Sequence, residues 1–204
     1  MAGLEFVDIA QSVCFARNVL TENRKDGSLK NTSNPNDLRN KRRPWLTGPL
    51  PLSCEGCRFE LPMDLKILEN LSAIKYLSHY CIVSSRRKYL FKTTFVKTDK
   101  DLDGIINSYE LRQALIDLYS NSIGDECLDD ILDIIDCKME SVFDRRQFLA
   151  ISAFSERYLC TRYQDKKEIS NSKHLLEQTD FAGLKSKLEG YNIASNLVKM
   201  LLII

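Results

Sequence analysis

The sequence predicts an all-α protein: a pair of helix–loop–helix units with additional flanking helices, preceded by an irregular N-terminal region. Three observations predict it. All five prolines, Pro35, Pro44, Pro49, Pro51 and Pro62, lie in the first third of the 204 residues, so the remainder contains no residue that forbids a helix interior. From residue 64 onward, apolar residues recur at steps of three and four, the spacing of one helix face. No run alternates with period two, as a half-buried strand would.

The elements follow in order. Residues 1–62 form an N-terminal segment. Phe6, Ile9, Ala10, Val13, Ala16 and Leu20 mark an opening helix over 4–20, and residues 21–62, rich in Asn, Ser, Lys, Pro and Gly, read as an irregular or partly disordered linker. Residues 63–87 are expected to be a connecting helix, with Ile67, Leu71, Ile74, Leu77 and Cys81 on one face. Ser84-Ser85 then offers a cap for a second helix running through Leu90, Phe91 and Phe95. Helical stretches are expected at 109–120, 126–135 and 145–160. In the extension 163–204, Leu184 and Leu188 share a face, Gly190 interrupts, and Ile193, Leu197, Val198, Leu201 and Leu202 form a closing apolar stripe.

Composition excludes several classes. The formal net charge is +1, which argues against a wholly polyanionic or polycationic protein, and no nucleic-acid partner is expected. That neutrality is a sum of unlike parts. Residues 1–98 carry a net of +7, residues 99–160 a net of −8 and residues 161–204 a net of +2. No stretch approaches the roughly 20 apolar residues that span a bilayer, and the first ten residues lack the basic and apolar regions of a secretory signal. The expected setting is therefore intracellular, cytoplasmic by default, with a cytoskeletal, ciliary or nuclear location as the alternatives. Seven scattered cysteines fit free thiols in a reducing compartment. Cys54-Glu-Gly-Cys57 has zinc-ligand spacing, but no second pair follows it, so two loop thiols are the simpler reading. The run Arg39-Asn-Lys-Arg-Arg-Pro-Trp45 reads as a solvated basic loop or, through Arg39, Lys41, Arg42 and Arg43, as a nuclear-localisation, anionic-lipid or acidic-partner patch.

The chemistry is concentrated in residues 99–110, Asp-Lys-Asp-Leu-Asp-Gly-Ile-Ile-Asn-Ser-Tyr-Glu. A hard divalent cation such as Ca²⁺ takes six to eight oxygens, and acids at alternate positions of a tight loop can converge on one centre. Asp99, Asp101 and Asp103 each offer a carboxylate oxygen, and Gly104 permits the bend between them. Ile105 is expected to supply its backbone carbonyl and Asn107 to act through a water. Glu110 can close the shell with both oxygens. Ile106 should point away from the ion, into the core, and bridge to a neighbouring loop.

This loop resembles those of the EF-hand superfamily, whose ligand positions it fills in the family's manner, with Phe91 and Phe95 before it and Leu111, Ala114 and Leu115 after it on the inner helix faces. Thr98, just before the loop, departs from the aromatic common there. The resemblance implies a partner hand. Leu128, Ile131, Leu132 and Ile135, behind Glu126, read as its entering helix, and residues 136–147 as its loop, followed by Phe148 and Leu149. The whole, residues 88–162, is similar to one lobe of calmodulin. The second loop departs where binding depends on it. Lys138 puts a cation at a ligand position, Ser141 replaces the bend glycine, and Gln147 cannot give a bidentate carboxylate. It is expected to be structural, with Phe143 opposite Ile106.

The resemblance implies one Ca²⁺ per chain, with Mg²⁺ able to occupy the site at rest, and a protein partner for the lobe. The closing helix at 193–204 is either a permanent part of the core or an intramolecular occupant of the lobe's groove that calcium releases. No catalytic signature is present and neither histidine has an acid or nucleophile partner in sequence, so no enzymatic activity is expected. Two non-enzymatic roles remain: a calcium-responsive regulatory or adaptor protein, and a structural or assembly component, cytoskeletal or axonemal, with a constitutive calcium site.

Overall fold

The computed structural model describes residues 52–119, 123–163 and 173–204. The expected helix over 4–20 and the basic run Arg39–Arg43 lie outside the described residues. The protein is mostly helical, as expected. The helices are α1 (Ala73–Tyr80), α2 (Ser85–Thr98), α3 (Ser108–Leu118), α4 (Asp125–Ile134), α5 (Arg145–Tyr163), α6 (Leu175–Phe181), α7 (Leu184–Leu188) and α8 (Ser195–Ile203). Four three-residue strands form two antiparallel ladders: β1 (Cys57–Phe59) with β2 (Cys81–Val83), and β3 (Ile105–Asn107) with β4 (Val142–Asp144).

Two expectations need correction. The stretch 63–87 is not one connecting helix. It holds a 3-10 segment at Leu65–Asn70, then α1, then β2 and the start of α2. The break falls where the Ser72 hydroxyl accepts from the Lys75 amide, 3.3 Å away, and so caps a new helix. The proposed single face is accordingly split: Leu77 is buried, whereas Ile67 is 44% exposed and Cys81 belongs to a strand. Residues 52–62 are not a linker, since Cys54, Cys57 and Phe59 are buried and β1 pairs with β2. Both ladders are too short for a period-two alternation to register in the sequence.

Other expectations hold. Ser84 caps α2. Phe91, Phe95, Leu111, Ala114 and Leu115 are fully buried, on the inner sides of α2 and α3, which pack on each other. α5 runs through the middle: every residue from Phe148 to Cys160 is buried, with α1, α2 and β2 against it. α8 packs on α1, α4 and α5 through Leu197, Met200 and Leu201, all fully buried, and Ile204 is 3% exposed. In this structure the closing helix is therefore part of the core.

Two charged residues of α5 lie inside that core. Arg157 is wholly buried. One guanidinium nitrogen donates to Glu177 and, at 3.2 Å, to the carbonyl of Ile204. The other donates to the carbonyls of Cys54 (3.1 Å) and Cys57 (3.2 Å) and to the second Glu177 oxygen (3.3 Å). The Phe59 ring lies beneath it, 5.3 Å from Cζ to centroid. Its neighbour Glu156 pairs with Arg87 of α2 and accepts from the Ser53 amide at 2.9 Å. Gly56 passes so close to this pair that a β-carbon would lie 2.8 Å from Arg87 Nε and 3.2 Å from Glu156 Oε2, which leaves glycine as the residue that fits. The two thiols of the C-x-x-C pair part company here. Cys54 packs against Cys160, while Cys57 Sγ donates to the Ala153 carbonyl at 3.6 Å, and burial pushes the Cys57 thiol up to about 12.

Removing one member of a fully buried ion pair leaves the other charge without compensation. Glu177→Ala should therefore destabilise the protein by about 3–5 kcal/mol in urea unfolding; a loss below about 1 kcal/mol would show that Arg157 does not depend on this carboxylate. Glu156 makes a pH-dependent contribution. Burial raises its carboxyl to about 7, against the opposing pull of Arg87 and of the Ser53 amide. The folded protein thus keeps a proton that the unfolded chain has already lost above the ordinary carboxylate range. This stabilising term is fully present below that range and is lost as pH rises through about 7. Thermal midpoints measured from pH 5 to 8 should fall with rising pH, and Glu156→Gln should flatten that slope.

Candidate metal centre

The loop between α2 and α3 is built by short-range rules. Asp99 is the C-cap of α2, and its amide still bonds to the Phe95 carbonyl at 2.9 Å. The chain then turns through two left-handed residues, Leu102 (φ 60) and Gly104 (φ 83). The conformation is free at glycine but costs a leucine roughly 1–2 kcal/mol. Leu102 is 76% exposed, so nothing it packs against offsets that cost. Carboxylates hold the turn: Asp99 Oδ2 accepts from the Gly104 amide (3.1 Å) and Asp103 Oδ1 from the Ile105 amide (2.9 Å).

The result is a cluster. Carboxylate oxygens of Asp99, Asp101 and Asp103 all lie within 4.8 Å of one another. Asp101 and Asp103 are exposed, whereas Asp99 is only 6% exposed. Its Oδ1 is buried with no hydrogen-bond partner, an arrangement that is costly for a carboxylate unless a cation faces it. Three carboxylates at this spacing, one of them with a buried unpaired oxygen, fit a hard divalent ion held by oxygen ligands.

The other expected ligands stand differently. Ile105 begins β3, opposite Asp144. Asn107 is the N-cap of α3, its side chain accepting from the Glu110 amide at 2.9 Å, and Glu110 Oε2 accepts in return from the Asn107 amide at 3.0 Å. This reciprocal capping box occupies one Glu110 oxygen and leaves Glu110 outside the three-carboxylate cluster. Serving as an ion ligand requires Glu110 to move toward the three aspartates.

The second loop, between α4 and α5, ends in the same strand-and-cap pattern but turns differently, with its left-handed residue at Asp136 (φ 54), and its chemistry differs too. Asp144 and Gln147 bond reciprocally, Gln147 N–H to Asp144 Oδ1 at 2.8 Å and Asp144 N–H to Gln147 Oε1 at 2.9 Å. An amide here does the capping that Glu110 does in the first loop, but brings no charge. The Lys138 ammonium stands 3.9 Å from Asp136 Oδ2. The two loops are joined back to back: β3 and β4 pair with Ile106 opposite Phe143, both buried, and Ser108 Oγ donates to the Met139 carbonyl at 2.9 Å.

Among the described residues, the three aspartates are the one group of His, Cys, Asp or Glu residues placed to hold a metal ion, so Cys54 and Cys57 belong to no such cluster. No helix among the described residues is long and apolar enough to cross a membrane. No protein-family model matches the chain, nor does any curated protein or solved structure. Sequence reasoning missed the buried Arg157–Glu177 and Arg87–Glu156 pairs and the exposed face of α2. The last had a signal: α2 contains five basic residues and no acid.

The Ile106–Phe143 contact ties the two loops together with fully buried apolar side chains, so Ile106→Ala should cost about 2–4 kcal/mol in chemical denaturation. A change below 1 kcal/mol would mean that the loops hold their geometry independently.

Proposed function

We propose that the chain is a non-enzymatic, calcium-binding EF-hand protein. It holds one Ca²⁺ in the loop 99–110 and acts as a calcium-responsive regulatory or adaptor protein on a protein partner. The observation that carries this reading is the buried, unpartnered Oδ1 of Asp99, gathered with Asp101 and Asp103 within 4.8 Å. Bound calcium would supply two positive charges to a site with three converging carboxylates. Asp99, Asp101 and Asp103 would hold it, with the Ile105 carbonyl and Glu110 as further oxygen donors and Asn107 acting through a water.

Glu110 is the residue through which occupancy reaches the fold. It belongs to the first turn of α3, so exchanging its bond to the Asn107 amide for the ion shifts the start of that helix. Asp117, near the other end of α3, is hydrogen-bonded to Lys97 of α2 at 2.8 Å, so the two helices respond together.

The second loop takes no ion on this reading. Lys138 already sets a cation beside Asp136, and Gln147 caps α5 as a neutral amide. A structural role with a constitutive calcium site is favoured by one observation, the burial of α8 against α4 and α5, which covers part of the apolar surface a sensor lobe would expose. Hydrophobic-dye binding separates the two: a rise with calcium supports the regulatory role, and no change supports the structural one.

Isothermal titration should find one calcium per chain with a Hill coefficient of about 1, and Glu110→Gln should abolish the heat of binding while leaving the apo circular-dichroism spectrum unchanged. Two bound ions would refute the assignment of the second loop, and undiminished binding in the variant would refute that of the first.

A further inference from the structure

Among the described residues, the exposed side of α2 makes one ion pair, Lys97 with Asp117. Arg87, Phe91, Phe95 and Thr98 take the inward side of this helix. Outward stand Arg86, Lys88, Lys92 and Lys97, with Tyr89 60% and Val96 57% exposed. Lys88 and Lys92, four apart, flank this apolar pair on one side, and Arg86 and Lys97 flank it on the other. No acid occurs in the 14 residues of the helix. Arg86, Lys88 and Lys92 form no ion pair with a described residue, and Lys97 pairs with Asp117. A solvated helix face ordinarily carries charges of both signs. Cations alone around an aromatic and a branched apolar side chain are the pattern of a helix that lies in a membrane interface, apolar centre inward and basic flanks at the headgroups.

We propose that this face of α2 docks on an anionic lipid bilayer and that calcium in the adjoining loop strengthens the docking. The face is the convex side of a helix, not a groove, which suits a broad planar surface better than an acidic peptide that needs a concavity to bury against. The calcium dependence follows from chain order. The last turn of α2 runs straight into Asp99, Asp101 and Asp103, whose carboxylates repel an anionic surface within a Debye length of about 8 Å. A divalent ion held by those three residues offsets two of their three negative charges and so weakens that repulsion beside Lys97 and Lys100. Only this calcium increment rests on the calcium-binding reading above; the basic face stands without it.

The test is sedimentation of the full chain with vesicles containing phosphatidylserine and with pure phosphatidylcholine vesicles, in calcium and in chelator. Expected are binding to the anionic vesicles alone, its loss in high salt, and a fall on the order of a hundredfold in the triple variant Arg86→Gln, Lys88→Gln, Lys92→Gln. Calcium should raise the affinity severalfold, and Glu110→Gln should remove that rise, which separates an effect at the loop from calcium bridging to lipid. No binding to anionic vesicles, or undiminished binding by the triple variant, overturns the surface. Capture by polyglutamate without vesicle binding overturns it in favour of an acidic polypeptide. Calcium bound in titration without any rise in vesicle affinity overturns the coupling. Basal vesicle binding with no calcium bound in titration upholds the surface and instead removes the calcium-binding reading.

Discussion

The fold depends on a cation without access to water. Arg157 sits in the middle of α5 with no exposed surface, and all its partners come from distant parts of the chain: the carbonyls of Cys54 and Cys57, the carboxylate of Glu177 and the carbonyl of Ile204. An unpaired guanidinium at such a site would be prohibitive. The segments before α1 and after α5 are therefore held in place because the arginine requires their acceptors. Glu177 closes the arrangement from the other side by also accepting from the Phe59 amide, at 3.3 Å. A three-residue strand, a seven-residue helix and the end of α8 are each too short to be stable alone, and this one side chain holds all three.

The two paired loops carry opposite electrostatics. In the first, three carboxylates face each other and one buried oxygen has no partner. In the second, Lys138 and Gln147 stand where an ion and a carboxylate would otherwise be needed. Pairing through β3 and β4 joins the two loops into one unit, with Ile106 and Phe143 buried between them. The near-zero net charge of the chain conceals the same division, since an acidic loop region adjoins a helix with no acid at all.

What the sequence made legible was what local chemistry determines. Alternate aspartates before a glycine gave the cluster. Ser84 gave the start of α2, and matching loop positions gave the pairing of Ile106 with Phe143. The ladder of β1 with β2 was not legible, because Cys-Arg-Phe and Cys-Ile-Val are too short to show period two, and they meet only because α1 returns the chain. The break at Ser72 was hidden by apolar residues that continue in step across it. The buried ion pairs left no trace, since Glu156 and Arg157 are adjacent charges of the kind normally found in water, and burial is decided by segments far away in sequence. The position of Glu110 differs for a related reason: glutamate three residues after an asparagine cap is a helix-capping signature as much as an ion ligand.

The reach of Arg157 also constrains how the protein is made. Its acceptors span from Cys54 to Ile204, so during synthesis the guanidinium emerges from the ribosome after two of its partners and well before the others. Until residue 204 is out, α5 carries a charge that the nascent chain cannot fully enclose, and its central position in the core is not available to it. The paired loops can fold early on contacts that are complete by Tyr163, but the core as a whole closes only once Ile204 has been made and is free to reach Arg157. A cell handling this chain therefore handles, for the time between those two events, a polypeptide with a finished loop region and an open centre.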